Sequence, residues 1–102
     1  MATHQTESGL EKWAKALAAS KGVIGYKFRS VNKRGVPDMI FFYNGRTMLV
    51  EFKSPSGLGR LSPLQEKEIQ VLRAPGMMVR VVHDKELFEA ALTVFIRGET
   101  KC

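Results

Sequence analysis

The stretch MIFFYNGRTMLVEFK, residues 39–53, decides how this chain folds. It contains two runs of apolar and aromatic residues, which favour β-strands, on either side of Asn44-Gly45. Asn-Gly is the strongest short signal for a two-residue hairpin loop, because both residues tolerate a positive φ angle. The stretch therefore predicts two antiparallel strands, over residues 39–43 and 46–53, joined by a tight turn.

This hairpin determines which residues face each other across its two strands. If the loop holds two residues, Tyr43 pairs with Arg46 and, counting outwards, Asp38 pairs with Glu51. Two carboxylates then lie directly opposite each other, with β-carbons about 4.5–5.5 Å apart. Because like charges so placed repel, the pair needs a positive charge nearby. Lys53, on the same face as Glu51, is one candidate, and a divalent cation such as Mg²⁺ is the other.

Helix-capping residues, apolar periodicity and turn residues indicate the other elements. They predict a helix over residues 6–21, a strand over 25–30, a helix from Ser62 to residues 74–76, a strand over 77–83, and a helix from Asp84 to Gly98. The segment 54–60, rich in serine, glycine and proline, is predicted to be a flexible loop. The order α-β-β-β-α-β-α indicates an α/β fold in which helices flank a small mixed sheet.

Composition limits the class of protein. A chain of 102 residues, with 44% apolar and 25% charged residues, suits one globular domain over residues 1–102. The net charge of +6 suggests a polyanionic partner. No apolar run approaches the length of a membrane span, so we expect no membrane contact. Cys102 is the single cysteine, which excludes an intrachain disulfide and favours a reducing, cytoplasmic setting.

The residues around the hairpin resemble a known family. Gly35-Val-Pro-Asp38, followed thirteen residues later by Glu51-Phe-Lys53, is similar to the P-D…(D/E)-x-K signature of the PD-(D/E)XK nuclease superfamily. The stretches YKFRSVNKRGVPDMIFF, LVEFKSPSGLGRLSPLQ and VLRAPGMMVRVV resemble the VRR-Nuc family, which includes small phage-borne nucleases and domains of repair nucleases. The similarity runs from about residue 10 to residue 92. It implies a restriction-endonuclease-like fold with an αβββαβ core.

The resemblance also implies a metal-dependent reaction centre. It assigns Asp38, Glu51 and the backbone carbonyl of Phe52 to a Mg²⁺ or Mn²⁺ ion. Lys53 would orient or activate the attacking water, or stabilise the charge that develops on the phosphate. The alternative is a structural ion pair between Glu51 and Lys53, with Asp38 merely closing a turn. We favour the catalytic interpretation, because three charged residues converge on one face.

Two further assignments have alternatives. Gln65 suits a capping box, but it also lies on the apolar face of its helix, where the family has a glutamine near the active site. Both roles are open, and its inward position favours support of the site. In the first helix, Glu7 and Glu11 lie one turn apart, and the family places an active-site glutamate there. The spacing to residues 26–28 favours Glu11. Glu68 also faces inward and suggests a salt bridge.

Basic side chains flank the predicted centre along the chain. Such residues often form only a solvated surface, but their position favours contacts to nucleic-acid phosphates. These residues are Lys27, Arg29, Lys33, Arg34 and Arg60. His4 and His83 have no metal-ligand spacing and are predicted at the surface or at a strand end. The chain contains no recognition-helix pattern or zinc module, so we expect recognition of backbone shape.

The sequence therefore predicts a metal-dependent, structure-selective DNA endonuclease that acts on branched or junction DNA. Small stand-alone members of the family resemble Holliday-junction resolvases, which are homodimers, so we expect a homodimer. The last helix has more apolar residues than one core-facing stripe requires, and either contributes to the dimer surface or simply packs on the sheet. These residues are Ala90, Ala91, Leu92, Val94, Phe95 and Ile96. The alternatives are a nuclease of the same fold that cuts flaps or RNA or nicks one strand, and a non-catalytic basic nucleic-acid-binding domain.

Overall fold

The computed structural model describes residues 6–54 and 60–98 as one sheet with three helices. The elements are α1 (Glu7–Ser20), β1 (Ile24–Lys27), β2 (Met39–Tyr43), β3 (Arg46–Phe52), α2 (Pro63–Arg73), β4 (Met78–Val82) and α3 (Lys85–Arg97). The strand order is β1-β2-β3-β4, with β1, β2 and β3 antiparallel and β4 parallel to β3. The predicted element order and the small mixed sheet are confirmed.

The hairpin turn has the geometry that its sequence predicts. Asn44 and Gly45 both have positive φ angles, 51° and 79°, as a two-residue loop of this twist requires. Tyr43 pairs with Arg46, and the register continues outwards to the end of β2 as predicted. Continued by one position, this register sets Asp38 opposite Glu51, and the charge of Asp38 acts on the Glu51 carboxylate.

The first strand, β1, ends earlier than the predicted range of residues 25–30. The N–H of Phe28 still donates to the carbonyl of Asp38 at 2.7 Å. Beyond this bond, the residues directly after Phe28 and directly before Asp38 belong to no strand. The other predicted strands agree with the structure to within one residue at each end.

Capping side chains define the helix ends. At α2, Ser62 Oγ accepts from the Gln65 N–H at 3.1 Å and Gln65 Oε1 accepts from the Ser62 N–H at 2.9 Å, which confirms the capping box. At α3, Asp84 caps the N-terminus and Gly98, with φ 78°, ends the helix as predicted. In the described part of the chain, no helix is long and apolar enough to cross a membrane.

Two hydrophobic layers hold the sheet between the helices. The larger layer lies under α1 and α3 and includes Leu10, Phe41, Val50, Phe88 and Phe95. The smaller layer lies between α2 and the strands β3 and β4; its buried residues are Leu49, Ile69 and Val79. On this sheet face α2 packs over β3 and β4. The other half of the face, formed by β1 and β2, therefore keeps several exposed apolar side chains.

Most of the wide apolar surface of α3 serves the core. Ala91, Leu92 and Phe95 are buried, and Ile96 packs against the larger layer. Ala90 is exposed. The helix therefore packs on the sheet, and its apolar composition does not by itself indicate a dimer surface.

Three features predicted from the sequence lie outside the described residues. They are the middle of the predicted flexible loop, residues 55–59, and the side chains of His4 and Cys102.

Candidate active site

The strand β3 places Glu51 and Lys53 together on the sheet face that α2 covers. Lys53 Nζ lies 3.6 Å from Glu51 Oε2, and Glu51 is only 6% exposed. Val50 and Phe52 point to the opposite face and are fully buried in the larger core layer. Because the ring of Phe52 packs in that core, 5.9 Å from the ring of Phe88, only its backbone carbonyl is left for a ligand role.

The first turn of α2 brings Gln65 to this pair of charges. Its Nε2 donates to Glu51 Oε2 at 3.0 Å, and its Oε1 accepts from Lys53 Nζ at 3.0 Å. The same Oε1 accepts from the Ser62 N–H, which closes the capping box. Two donors at Oε1 and a carboxylate at Nε2 fix the orientation of the amide. Gln65 therefore caps the helix and contacts the predicted centre with one side chain, so both of its predicted roles occur together.

The carboxylate of Asp38 has one paired and one unpaired oxygen. Its Oδ2 lies 3.6 Å from Lys27 Nζ. Its Oδ1 is buried and has no hydrogen-bond partner among the described residues. A buried acceptor without a partner costs about 1–3 kcal/mol, so such atoms are rare unless an ion, water or ligand completes them.

The proton affinity of Glu51 reflects its crowded surroundings. The pKa of Glu51 is raised to about 7, first by burial and then by the neighbouring charge of Asp38. Lys53 acts against this pKa shift, while Glu7 adds to it. The pair of carboxylates thus lacks sufficient positive charge from the side chains around it. A perturbed group beside a specific charged partner is typical of a functional site.

The donor set fits a divalent cation. Asp38 and Glu51 offer carboxylate oxygens, Phe52 offers a carbonyl, and the unpaired Asp38 Oδ1 marks a position that a cation would complete. Over residues 6–54 and 60–98, no group of three or more His, Cys, Asp or Glu side chains could hold a metal ion. Mg²⁺ uses one or two carboxylates and fills its other positions with water and phosphate, so two carboxylates and a carbonyl are a donor set that suits it. His83 is exposed at the end of β4, beside Asp84, as predicted.

The two glutamates of α1 occupy different positions relative to the centre. Glu11 Oε1 accepts from Lys27 Nζ at 2.6 Å, and this hydrogen bond raises the pKa of Lys27. Lys27 in turn reaches Asp38, so Glu11 is linked to the centre through a lysine. Glu7 instead acts on Glu51 directly, through its charge. Which of the two serves the site stays a prediction, and the structure brings both towards it.

The loop that leads into β2 is packed tightly against α2. Gly35 has φ 86°, and a β-carbon there would lie 2.6 Å from the carbonyl oxygen of Leu64. Only glycine suits this close backbone approach. Lys33 Nζ, 3.7 Å from Glu68 Oε1, adds a second link and confirms the predicted salt bridge of Glu68. Sequence reasoning identified this glycine as part of a motif but not its contact with the helix that carries Gln65.

The predicted phosphate-binding residues lie on the surface. The described basic residues of this set are all exposed, and two of them, Lys27 and Lys33, bind acidic side chains that border the centre. Two lysines of α1, Lys12 and Lys15, line a cavity of about 310 Å³ together with Lys27 and Glu11. No signal in the sequence indicates this cluster, because lysines three residues apart on a helix usually indicate only a solvated face.

Comparison with known proteins gives three consistent matches. The family model described as "VRR-NUC domain" matches residues 2–86 of the chain. The protein "Putative nuclease p44" of Acyrthosiphon pisum secondary endosymbiont phage 1 is 35% identical over 82 residues, which cover 79% of this chain and 86% of that protein. A solved structure titled "VRR_NUC domain" has a TM-score of 0.71 at 24% identity and covers 87% of this chain and 92% of its own; this match shows the shared fold.

Proposed function

Since this chain belongs to the VRR-NUC nuclease domain family, we propose that it is a metal-dependent, structure-selective DNA endonuclease. It hydrolyses phosphodiester bonds with Asp38, Glu51, Lys53 and Gln65 as its reaction centre. Branched DNA, and four-way junctions above all, are the proposed substrates. We expect it to act in the cytoplasm of a bacterium or of a phage-infected cell.

The observation that carries this proposal is the opposition of Asp38 and Glu51. They directly adjoin Met39 and Val50, the outermost pair of the hairpin, and the buried Asp38 Oδ1 has no hydrogen-bond partner among the described residues. The proximity of Asp38 also raises the pKa of Glu51. A protein that only bound DNA would gain nothing from two crowded carboxylates, because negative charge repels the phosphates. The pair therefore favours an enzyme over a non-catalytic binding domain.

Asp38, Glu51 and the carbonyl of Phe52 would hold Mg²⁺ or Mn²⁺. When bound, such a metal polarises a phosphoryl oxygen and lowers the pKa of a water molecule bound to it. The protein contributes the position of its carboxylates, which the hairpin turn and the tight contact of Gly35 with α2 determine. It also contributes the low exposure of Glu51, which strengthens electrostatic interactions at the centre.

Lys53 would either orient or activate the attacking water or supply the positive charge that stabilises the phosphate. Its Nζ is held between Glu51 Oε2, at 3.6 Å, and Gln65 Oε1, at 3.0 Å. An ammonium with three donors keeps at least one of them for the attacking water or for a phosphate oxygen. Stabilising charge on the phosphate with a prepositioned donor is typically worth two to three orders of magnitude in rate. Gln65 keeps Lys53 and Glu51 in a fixed relative position.

A junction resolvase must make two opposed cuts, whereas one chain has one centre. We propose a two-fold homodimer, because a self-complementary interface places two centres at a fixed separation. The rival from the same fold is a nuclease that nicks flaps or loops as a monomer.

Incubation of purified protein with a four-way junction, a flap and a linear duplex, with Mg²⁺ or with a chelator, tests the proposal. We expect Mg²⁺-dependent cleavage of the junction as paired nicks, and light scattering should give twice the chain mass of 11.4 kDa. The double variant Asp38→Asn with Glu51→Gln is the inactive control. Tight DNA binding with no cleavage under any divalent metal would favour the binding domain. Cleavage by a strict monomer, also on DNA, would favour nicking.

A further inference from the structure

Half of the sheet face that carries the reaction centre is not covered by any described element. On this half, Ile24 is 54% exposed, Tyr26 57% and Phe42 37%. Ile24 pairs with Phe42, and Tyr26 lies at the next same-face position along β1, so the three side chains share one face. The rings of Tyr26 and Phe42 meet edge to face, with centroids 6.2 Å apart. We call these two rings, together with the ring of Phe28 at the next same-face position after Tyr26, the aromatic surface.

This aromatic surface continues directly to the predicted centre. Phe28 lies two residues beyond Tyr26, and its N–H donates to the carbonyl of Asp38 at 2.7 Å. Continued by one position beyond the last paired residues, the registers of both strand pairs align Phe28, Asp38 and Glu51 in one row. Residues directly opposite each other in such a row have β-carbons about 4.5–5.5 Å apart. Phe28, itself 40% exposed, thus lies next to the carboxylate that faces the scissile phosphate in the proposed reaction.

The stretch of sequence that contains Tyr26 and Phe28 is strongly basic. Between Glu11 and Asp38 the sequence contains no acidic residue. All the lysines and arginines in this segment are exposed; they are Lys12, Lys15, Lys21, Lys27, Arg29, Lys33 and Arg34. In the stretch YKFR, residues 26–29, aromatic and basic residues alternate.

Two of these cations reach acidic side chains on the face of the aromatic surface: Lys27 Nζ lies 3.6 Å from Asp38 Oδ2, and Lys33 Nζ lies 3.7 Å from Glu68 Oε1 on α2. Exposed aromatic rings with cations beside them are the combination that binds single-stranded nucleic acid.

We infer that the aromatic surface stacks on unpaired nucleobases of the DNA strand that passes through the reaction centre. This inference rests on the proposed function and names the feature of DNA that the protein selects. In a duplex, neighbouring bases cover each base face, so an aromatic ring finds no partner. At a junction, flap or loop, unpaired bases are available, and stacking tolerates any base. The aromatic surface thus selects DNA that contains unpaired bases and does not read the base sequence.

A second copy of this chain is the other occupant that such an apolar surface suits. A two-fold interface would bring each surface, with its cations, against the same surface of the partner. Lys27 and Lys33 of one copy would then meet the same cations of the other copy and repel them, whereas a DNA strand neutralises them. The charge distribution therefore favours a nucleic acid.

DNA binding in the presence of a chelator tests the inference without cleavage. The probes are a short oligothymidine and an abasic oligonucleotide of the same length, which has the same phosphates but no bases. We expect wild type to bind the first about tenfold or more tightly, as expected for stacking on at least one base. The double variant Tyr26→Leu with Phe42→Leu should bring this ratio close to one while affinity for the abasic strand is unchanged. Val71→Ala, which removes an exposed apolar side chain of α2, should leave the ratio as in wild type.

Equal affinity of wild type for both oligonucleotides would overturn the inference. A double variant that changes from dimer to monomer but keeps the wild-type ratio would also overturn it and identify an interface between copies. Thermal unfolding of the variant checks its folding, which both exposed positions should tolerate. Since the assay contains no metal, loss of the proposed nuclease function would leave the base preference intact, and the two failures are distinguishable.

Discussion

Gln65 donates a hydrogen bond from Nε2 to Glu51 Oε2 at 3.0 Å, across the gap between α2 and β3. The other end of the same amide accepts from Lys53 Nζ and from the Ser62 N–H. The start of α2 and the end of β3 are thereby joined at the two charged residues of the proposed centre. A capping interaction normally acts only within its helix, but this one also fixes the position of Glu51 and Lys53.

Gln65→Glu should separate the capping role from the site role. A glutamate can still accept from the Ser62 N–H and from Lys53, but it cannot donate to Glu51. It also adds a third carboxylate beside Glu51 and Asp38. We expect the cleavage rate at neutral pH to fall by roughly one to two orders of magnitude, as for loss of one positioned donor. Thermal stability should change by only about 1 kcal/mol, because the cap is kept.

The matched control for this substitution is Gln70→Glu, which makes the same change at an exposed position of α2. Its cleavage rate should equal that of wild type. If the two variants cleave equally well in single-turnover assays, Gln65 is only a helix cap.

The metal-free protein should become less stable as pH rises from about 4.5 to about 7. Glu51 has its folded-state pKa raised across this window, from 4.5 to about 7, so the folded protein holds the proton more tightly than the unfolded chain. The stability contribution is therefore complete below the unfolded pKa and is lost as pH rises through the folded one. The loss should be on the order of 1–3 kcal/mol. Urea unfolding in a chelator measures it, and Glu51→Gln should remove most of this slope.

Divalent metal should stabilise the folded protein. Mg²⁺ or Mn²⁺ at a hundredfold excess over its dissociation constant raises the free energy of unfolding by about 2.7 kcal/mol when it binds only the folded state. Asp38→Asn should abolish this gain, because it removes half of the opposed carboxylate pair. Calorimetric scans with and without metal measure the effect. An unchanged wild-type transition, both with and without DNA, would argue strongly against the metal site.

The loop that contains Lys33 and Arg34 should contribute affinity for DNA but no selectivity among DNA structures. Lys33→Ala with Arg34→Ala should weaken binding of every DNA tested. The slope of log affinity against log salt should fall by about two, since each lost phosphate contact contributes about 0.9. The control pair is Lys85→Ala with Arg97→Ala on α3, which covers the opposite face of the sheet. A loss confined to branched DNA would show that these residues read structure instead of charge.

The hairpin and the second helix could be predicted from sequence because their signals are local. Asn44-Gly45 permits one loop geometry, and that loop fixes the register that pairs Asp38 with Glu51. Ser62 and Gln65 form a capping box within four residues of chain. The resemblance to a nuclease family supplied the roles of these residues, and neither composition nor periodicity could have done so.

Other features depend on how elements pack and leave no local signal. The alternation in β1 predicts that Tyr26 and Lys27 point to opposite faces, but not which face a helix covers. The part of the sheet around Tyr26 is uncovered because α2 packs over β3 and β4 and does not extend to β1. The choice between Glu7 and Glu11 likewise depends on the rotation of α1 relative to the sheet. Helical spacing fixes this rotation only to within about one residue.

The rate of DNA cleavage by Lys53→Ala, compared with wild type at saturating DNA and Mg²⁺, tests the proposed reaction centre most directly. Saturating metal is needed because Lys53 lowers the pKa of Glu51, so its removal lets protons compete more strongly for this carboxylate. We expect DNA affinity within about twofold of wild type, since one phosphate contact at most is lost, and a cleavage rate lower by two or more orders of magnitude. A folded Lys53→Ala variant that cuts as fast as wild type would contradict the assignment of the centre.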